Sequence, residues 1–272
     1  MSAFDDETAI EPDGPGRWRC RLTDAWNIGD TPNGGYALTP ALRALRELAG
    51  HPDPLSVTVH FVRPCAAGDA VVEGRTVRSG RGIGTATATL AQDGTDRIVA
   101  VAAFGRLRTG HPHGGTDTGH EGGPQISPPP PDDLPPPDEC ARRDGSAQGV
   151  ELAIASRLEV RLHPDDARGD TERAEVRGWI RFADGTPVGP MALPLLADAF
   201  PPAIFSRYGR VGWVPTVELT VQVRHVPAPG WVAGTFVCDD LADGRMVETG
   251  TLWDESGLAV ARSRQLGLLL TR

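Results

Sequence analysis

No apolar run in this 272-residue chain approaches the roughly 20 residues that span a bilayer. The acidic start, Met1-Ser-Ala-Phe-Asp-Asp-Glu7, has no apolar signal core. Neither a membrane insertion nor a secretory leader is expected, and the expected location is cytoplasmic. Cysteine is scarce. Cys20, Cys65, Cys140 and Cys238 are far apart, and no pair has the spacing of zinc ligands. Reduced thiols are expected rather than a disulfide framework. Positive charge is also in deficit: 27 Lys and Arg stand against 36 Asp and Glu, a net charge of −9 spread along the chain. That argues against nucleic acid or an anionic membrane as main partner and leaves room for a small basic pocket for one phosphorylated ligand. A Gly-x-Ser-x-Gly elbow, a phosphate loop, a dinucleotide fingerprint and a zinc-protease pattern are all missing. A covalent Ser-His-Asp hydrolase is thus poorly supported, and no metal or redox cofactor is implied.

What the chain does have is a repeat. In its first part an amphipathic helix, residues 35–49, carries Leu38, Ala41, Leu42, Leu45 and Leu48 at helical spacing. It leads into Leu55-Ser-Val-Thr-Val-His-Phe-Val-Arg-Pro64, a Gly turn and three strand-like runs, residues 70–77, 84–90 and 97–107. In the second part a short apolar helix, residues 191–205, is broken or bent by Pro201 and Pro202. It leads into Pro215-Thr-Val-Glu-Leu-Thr-Val-Gln-Val-Arg-His-Val-Pro227, another Gly turn and three more runs, residues 231–239, 245–253 and 258–270. Runs at residues 18–22, 150–162 and 172–182 also read as strands. Helix on antiparallel sheet, twice over, is an α+β class. The expected organisation is a polar N-terminal arm (1–16), a first unit (17–107), a Pro- and Gly-rich linker (108–148) and a second unit (149–272). The linker holds His111, His113 and His120, but no Asp, Glu or Cys partner stands at fixed spacing, so a metal site is not expected there. Residues 111–138 have few apolar side chains and are expected to be mobile.

Asp198 is the only acidic residue between Met191 and Phe205. A carboxylate on an apolar helix is either desolvated, which raises its basicity, or turned to solvent or to a cap near Pro201. Thr216 at a strand entry and Gln265 on the last strand, each taken alone, read as ordinary strand positions.

The order of these segments changes that reading. Leu-Leu-Ala-Asp198-Ala-Phe, Pro-Thr216-Val-Glu-Leu-Thr-Val and Ser-Arg-Gln265-Leu-Gly follow one another at helix, next strand and last strand. His60-Phe-Val-Arg63-Pro64 and Arg78-Ser-Gly-Arg81 end strands of the first part. Together they resemble the acyl-CoA thioesterase II type of the thioesterase superfamily. The resemblance implies a double hotdog fold, with two tandem units forming one continuous sheet. It also implies hydrolysis of an acyl-CoA to a free acid and CoA. Asp198 would be the base, and Thr216 and Gln265 would hold the water. Backbone N–H groups of the Gly34-Gly35-Tyr36 turn would polarise the thioester carbonyl. Arg63, Arg78 and Arg81 would either meet CoA phosphates or be solvated strand ends. The sequence departs from the family in two places. Glu218 stands where close bacterial members have Asp followed by His. Asn33-Gly34-Gly35-Tyr36 replaces a Gly-Gly-Gln opening and is similar to the His-Gly-Gly turn of other hotdog thioesterases. The assembly expected is a monomer or small homo-oligomer. Two alternatives stay open: a non-catalytic acyl-binding protein, and a hotdog enoyl-CoA hydratase. The hydratase needs an Asp/His pair, and no His lies within a few residues of Asp198.

Overall fold

The computed structural model describes residues 2–107, 126–145, 149–169 and 171–270. The first part contains α1 (Ala3–Glu7), β1 (Glu11–Pro12), β2 (Arg17–Leu22), a small hairpin of β3 (Asn27–Ile28) and β4 (Thr31–Pro32), and α2 (Gly34–Ala49). Four long strands follow: β5 (Asp53–Phe61), β6 (Gly68–Arg78), β7 (Gly84–Gln92) and β8 (Thr95–Gly105). The second part has β9 (Ala141–Arg142), β10 (Leu158–Leu162), α3 (Pro164–Arg168), β11 (Glu175–Phe182), α4 (Leu193–Ala197) and α5 (Ile204–Tyr208). It closes with β12 (Thr216–Val223), β13 (Val232–Ala242), β14 (Arg245–Asp254) and β15 (Ala259–Leu268).

Thirteen of these strands form one sheet in the order β1-β2-β6-β7-β8-β5-β12-β15-β14-β13-β11-β10-β9. The order mirrors itself about the β5–β12 seam. Outward from the seam run β8, β7, β6 and β2 on one side and β15, β14, β13 and β11 on the other. The seam is antiparallel, with Val57 opposite Val221 and His60 opposite Glu218. This is the double hotdog that the resemblance implies.

α2 forms where the sequence places it. Asn33 caps it by accepting the Tyr36 N–H at 3.0 Å, and Gly50 ends it in the left-handed region at φ 70°. Its apolar face, with Leu38, Ala41, Leu42 and Leu45, is buried against the sheet. The second helix differs. Instead of one helix over residues 191–205, a 3₁₀ turn (Pro190–Ala192), α4 and α5 follow in sequence. Pro201 and Pro202 supply no N–H to continue the ladder, so the chain leaves helix after Ala197 and re-enters at Ile204. The run at 150–162 also differs. Its first half is a 3₁₀ turn (Ala153–Ser156) with Ile154 buried, and only Leu158–Leu162 is strand. Two or three alternating apolar residues do not separate a turn from a strand.

Two peripheral segments are docked. Residues 2–16, read as an arm, form α1 and β1. Phe4 is buried, its ring 5.2 Å from Phe182 and 6.2 Å from Trp26. Glu7 accepts from Trp26 Nε1 at 2.7 Å and pairs with Arg157 of the second part. Of the proline-rich stretch, residues 108–125 and 146–148, with His111, His113 and His120, lie outside the described residues. Residues 128–135 are held against the outer face of the second half-sheet rather than free of contacts. Trp253 Nε1 donates to Pro128 O at 2.9 Å and Trp179 Nε1 to Pro135 O at 2.8 Å. Leu134 packs on the apolar cluster of Ala233, Trp253 and Ala259 beneath. Among the described residues no helix is long and apolar enough to cross a membrane.

Candidate active site

The site is built where the start of α2 meets the end of α4. Those backbones approach closely because residues 34 and 35 lack side chains. A Cβ on Gly35 would lie 2.7 Å from Leu195 Cα and 2.9 Å from Pro194 O. A Cβ on Gly34 would lie 2.9 Å from Phe61 Cζ and 3.0 Å from Asp198 Oδ2. The glycines admit Asp198 itself. Neither takes a positive φ.

Asp198 follows α4 directly and serves as its C-cap residue. Its Oδ2 accepts from Gly35 N at 2.8 Å and from Asn33 Nδ2 at 2.9 Å, and Asn33 Nδ2 also reaches Asp198 O at 2.9 Å. The Thr216 hydroxyl and the Gly34 N–H face the same carboxylate. Burial dominates all these donors and pushes its pKa from 3.8 up to about 6. The carboxylate is therefore ionised at neutral pH, yet basic enough to take a proton.

A cavity of about 230 Å³ opens beside it. Asp198, Thr216 and Gln265 all line it, with Asn33, Gly34 and Arg63 from the first half. Its apolar wall includes Phe61, Phe200, Phe205 and Trp213. The structure thus brings together three side chains from three elements: the end of α4, the first residue of β12, and β15. The β12–β15 pairing makes this possible, since Thr216 lies opposite Gly267, two residues from Gln265.

The comparisons with known proteins follow the same division. Residues 22–105 match the model of the acyl-CoA thioesterase N-terminal domain, and residues 131–269 match that of the acyl-CoA thioesterase C-terminal domain. The chain belongs to the acyl-CoA thioesterase II family. A candidate thioesterase II of known structure from Thermobifida fusca is similar at 31% identity and TM-score 0.85, covering 99% of this chain and 98% of that one. An acyl-CoA thioesterase II from Mycobacterium marinum has the same fold, with 19% identity, TM-score 0.71 and coverage of 100% and 98%. An uncharacterized protein of Mycobacterium tuberculosis is 26% identical over 94% of this chain and 93% of its own length.

Within this family member, the expected ligand contacts at Gly35, Tyr36, Arg78 and Arg81 fall elsewhere. Tyr36 does not line the cavity. Its ring is fully buried and stacked on Trp26 at 4.9 Å, and its hydroxyl donates to Glu7 O and accepts from Thr23 N. Its N–H is taken by the Asn33 cap, and the Gly35 N–H is taken by Asp198, so neither amide is free to meet a carbonyl. Arg78 is exposed at the far end of the sheet. Through Thr85 and Ala103 it aligns with Ser56 on β5, five positions before Phe61, roughly 17 Å along the strand from the cavity end. Arg63 does line the cavity. Arg81, on the turn after β6, is not part of the cavity wall.

Three polar side chains at the cavity escape motif reading, Arg143, Arg210 and Glu248. Asn33 was visible as the residue standing for His in the turn similar to His-Gly-Gly. Arg143 and Arg210 lie in irregular segments with no periodicity to mark them. Arg143 is so enclosed that its pKa falls to about 10. Glu248 occupies the same face of β14 as Met246 and Gly250, an acid at an inward position.

Proposed function

We propose that the protein hydrolyses an acyl-CoA thioester to a free acid and CoA, with Asp198 as general base. The observation that carries this is the buried Asp198 carboxylate, ionised but of raised pKa, facing a cavity that Thr216 and Gln265 also line. A water held by these three groups attacks the thioester carbon. Its proton passes to Asp198, the C–O bond forms, and the C–S bond then breaks, with the sulfur leaving as thiolate and taking up that proton. The start of α2 carries partial positive charge. It stabilises negative charge on Asp198 at rest and on the nearby carbonyl oxygen as Asp198 becomes neutral. The apolar wall of Phe61, Phe200 and Trp213 takes the acyl group, and Arg63 stands where a phosphate of CoA can reach it. The compartment proposed is the cytoplasm. A hydratase reading lacks its histidine, since no His lines this cavity among the described residues.

A panel of CoA thioesters, read by free-thiol release, tests the reading. Asp198→Asn should lower kcat about 10²–10⁴-fold on the best substrate while acyl-CoA binding stays near wild type. Thr216→Ala and Gln265→Ala should each cost less, because the remaining groups still hold the water. Full activity in Asp198→Asn would end the base assignment. A wild type that binds acyl-CoA but cleaves none would make this an acyl-binding protein.

A further inference from the structure

The reaction written above leaves one buried acid of the cavity without a role. Glu248 is 5% exposed and lines the same cavity as Asp198. It stands directly opposite Gln265 in the β14–β15 ladder. Its Oε1 accepts from Gln265 Nε2 at 3.0 Å and its Oε2 accepts from Ala203 N at 2.7 Å. A carboxylate only accepts. An amide offers an oxygen at one end and two N–H groups at the other, and nothing in its shape decides which end points where. Glu248, once ionised, decides it for Gln265, because the nitrogen must face the carboxylate. The bond to Ala203 N ties the chain just beyond Asp198 to the same strand.

We propose, resting on the thioesterase reading, that Glu248 is a positioning residue: it orients the Gln265 amide toward the attacking water and anchors the segment that follows Asp198. The charged groups around it are Asp198, from the end of α4, and Arg63, Arg143 and Arg210, which line the same cavity from other elements. Burial, with Asp198 as a nearby like charge, raises the Glu248 pKa to about 7. Asp198, with the lower pKa, ionises first, and Glu248 then gives up its proton against that charge.

Glu248→Gln tests this with almost no change of shape. The new amide must keep its oxygen toward Ala203 N, so its NH₂ turns to the NH₂ of Gln265 and forces that amide to flip. The expected result is a kcat about 10–100-fold below wild type, with KM within about threefold. Adding Glu248→Gln to Gln265→Ala should then cost less than threefold more, because the group it orients is already gone. The acid limb of the kcat/KM profile should also move to lower pH, since wild type needs Glu248 ionised, at about 7, whereas the variant needs only Asp198 ionised, at about 6. A purely packing role for Glu248 moves neither the limb nor the coupling. Wild-type kcat with an unmoved limb, or independent multiplicative losses in the double variant, would overturn the assignment. If Glu248→Gln does not fold, Gln265→Asn carries the test: its shorter amide cannot reach Glu248 and the water together, so wild-type kcat there overturns it equally. Asp198→Asn run alongside separates the two ideas. A dead Asp198→Asn with a fully active Glu248→Gln removes only the positioning role, whereas an inactive wild type removes the thioesterase reading and this role with it.

Discussion

Asp198 and Glu248 are held by amide and hydroxyl donors inside the protein, and burial raises both pKa values, to about 6 and about 7. In the unfolded chain both would ionise near pH 4. Between those limits the folded state binds more protons than the unfolded one, so stability must fall as pH rises from about 4 to about 7 and then level off. For Asp198 alone the effect is on the order of 2–3 kcal/mol. Acids whose pKa is lowered, such as Glu7 beside Arg157 and Glu159 beside Arg181 and Arg161, act in the opposite sense but only below their unfolded pKa. Urea midpoints at pH 5 and pH 8 therefore isolate the cavity acids. The midpoint should be lower at pH 8, and Asp198→Asn should flatten the difference. A wild-type midpoint that climbs from pH 5 to pH 8 would contradict this. At this scale Asp198, Thr216 and Gln265 were legible because each sits in a short motif at a defined place in the element order. Glu248 was not, because one acid in a strand of otherwise plausible alternation looks like an exposed position until the face it shares with Met246 is known. Tyr36 was misplaced for a related reason. A residue beside a glycine turn shares its backbone path, but its side chain goes wherever the core has room, here onto Trp26.

At the scale of elements, the contact of α2 with α4 governs the site, and it depends on Gly35. Its missing Cβ is filled by the Leu195 backbone, which cannot rotate away as a side chain could. Gly35→Ala should push the helices apart, costing about 1–3 kcal/mol in urea unfolding. It should also strip Asp198 of its 2.8 Å bond to the Gly35 N–H and with it most thioester cleavage. A stable, fully active Gly35→Ala would show that the approach tolerates a methyl and that the geometry at Asp198 does not depend on it. Long strands and α2 were readable from periodicity, since each buries one face against a broad partner. The broken second helix was half readable, through its prolines. The strap over the outer face was not. Its hold comes from indole N–H bonds of Trp179 and Trp253 to proline carbonyls 44 and 125 residues away in sequence, which local pattern cannot show. The docked N-terminus was hidden for the same reason, resting on Phe4 and the Glu7–Arg157 pair.

For the whole molecule, the β5–β12 seam decides how much sheet edge is left to other copies. Each half offers one edge strand to the other, and the pairing is completed within one chain, with Val57, Val59, Leu219 and Val221 buried near it and the Thr58 and Thr220 hydroxyls 2.9 Å apart across it. The site needs both halves, because Asn33 and Gly35 hold the carboxylate of Asp198. Among the described residues, the edges that remain are β1 and β9, two residues each. β1 ends in Pro12, which has no N–H to donate, and β9 ends in Arg142, whose charge resists burial between sheets. Neither edge is a long flat template, so edge-to-edge growth is disfavoured. We therefore expect light scattering coupled to size exclusion to give a mass of one or a few copies of the 28.9 kDa chain, with no growth on concentration. Outward faces, where Val99 and Val101 of β8 are exposed, leave room for a small closed homo-oligomer. A mass that rises without limit as protein is concentrated would mean that the two short edges pair after all, and Pro12→Val, which restores a donor to β1, should then make the growth steeper.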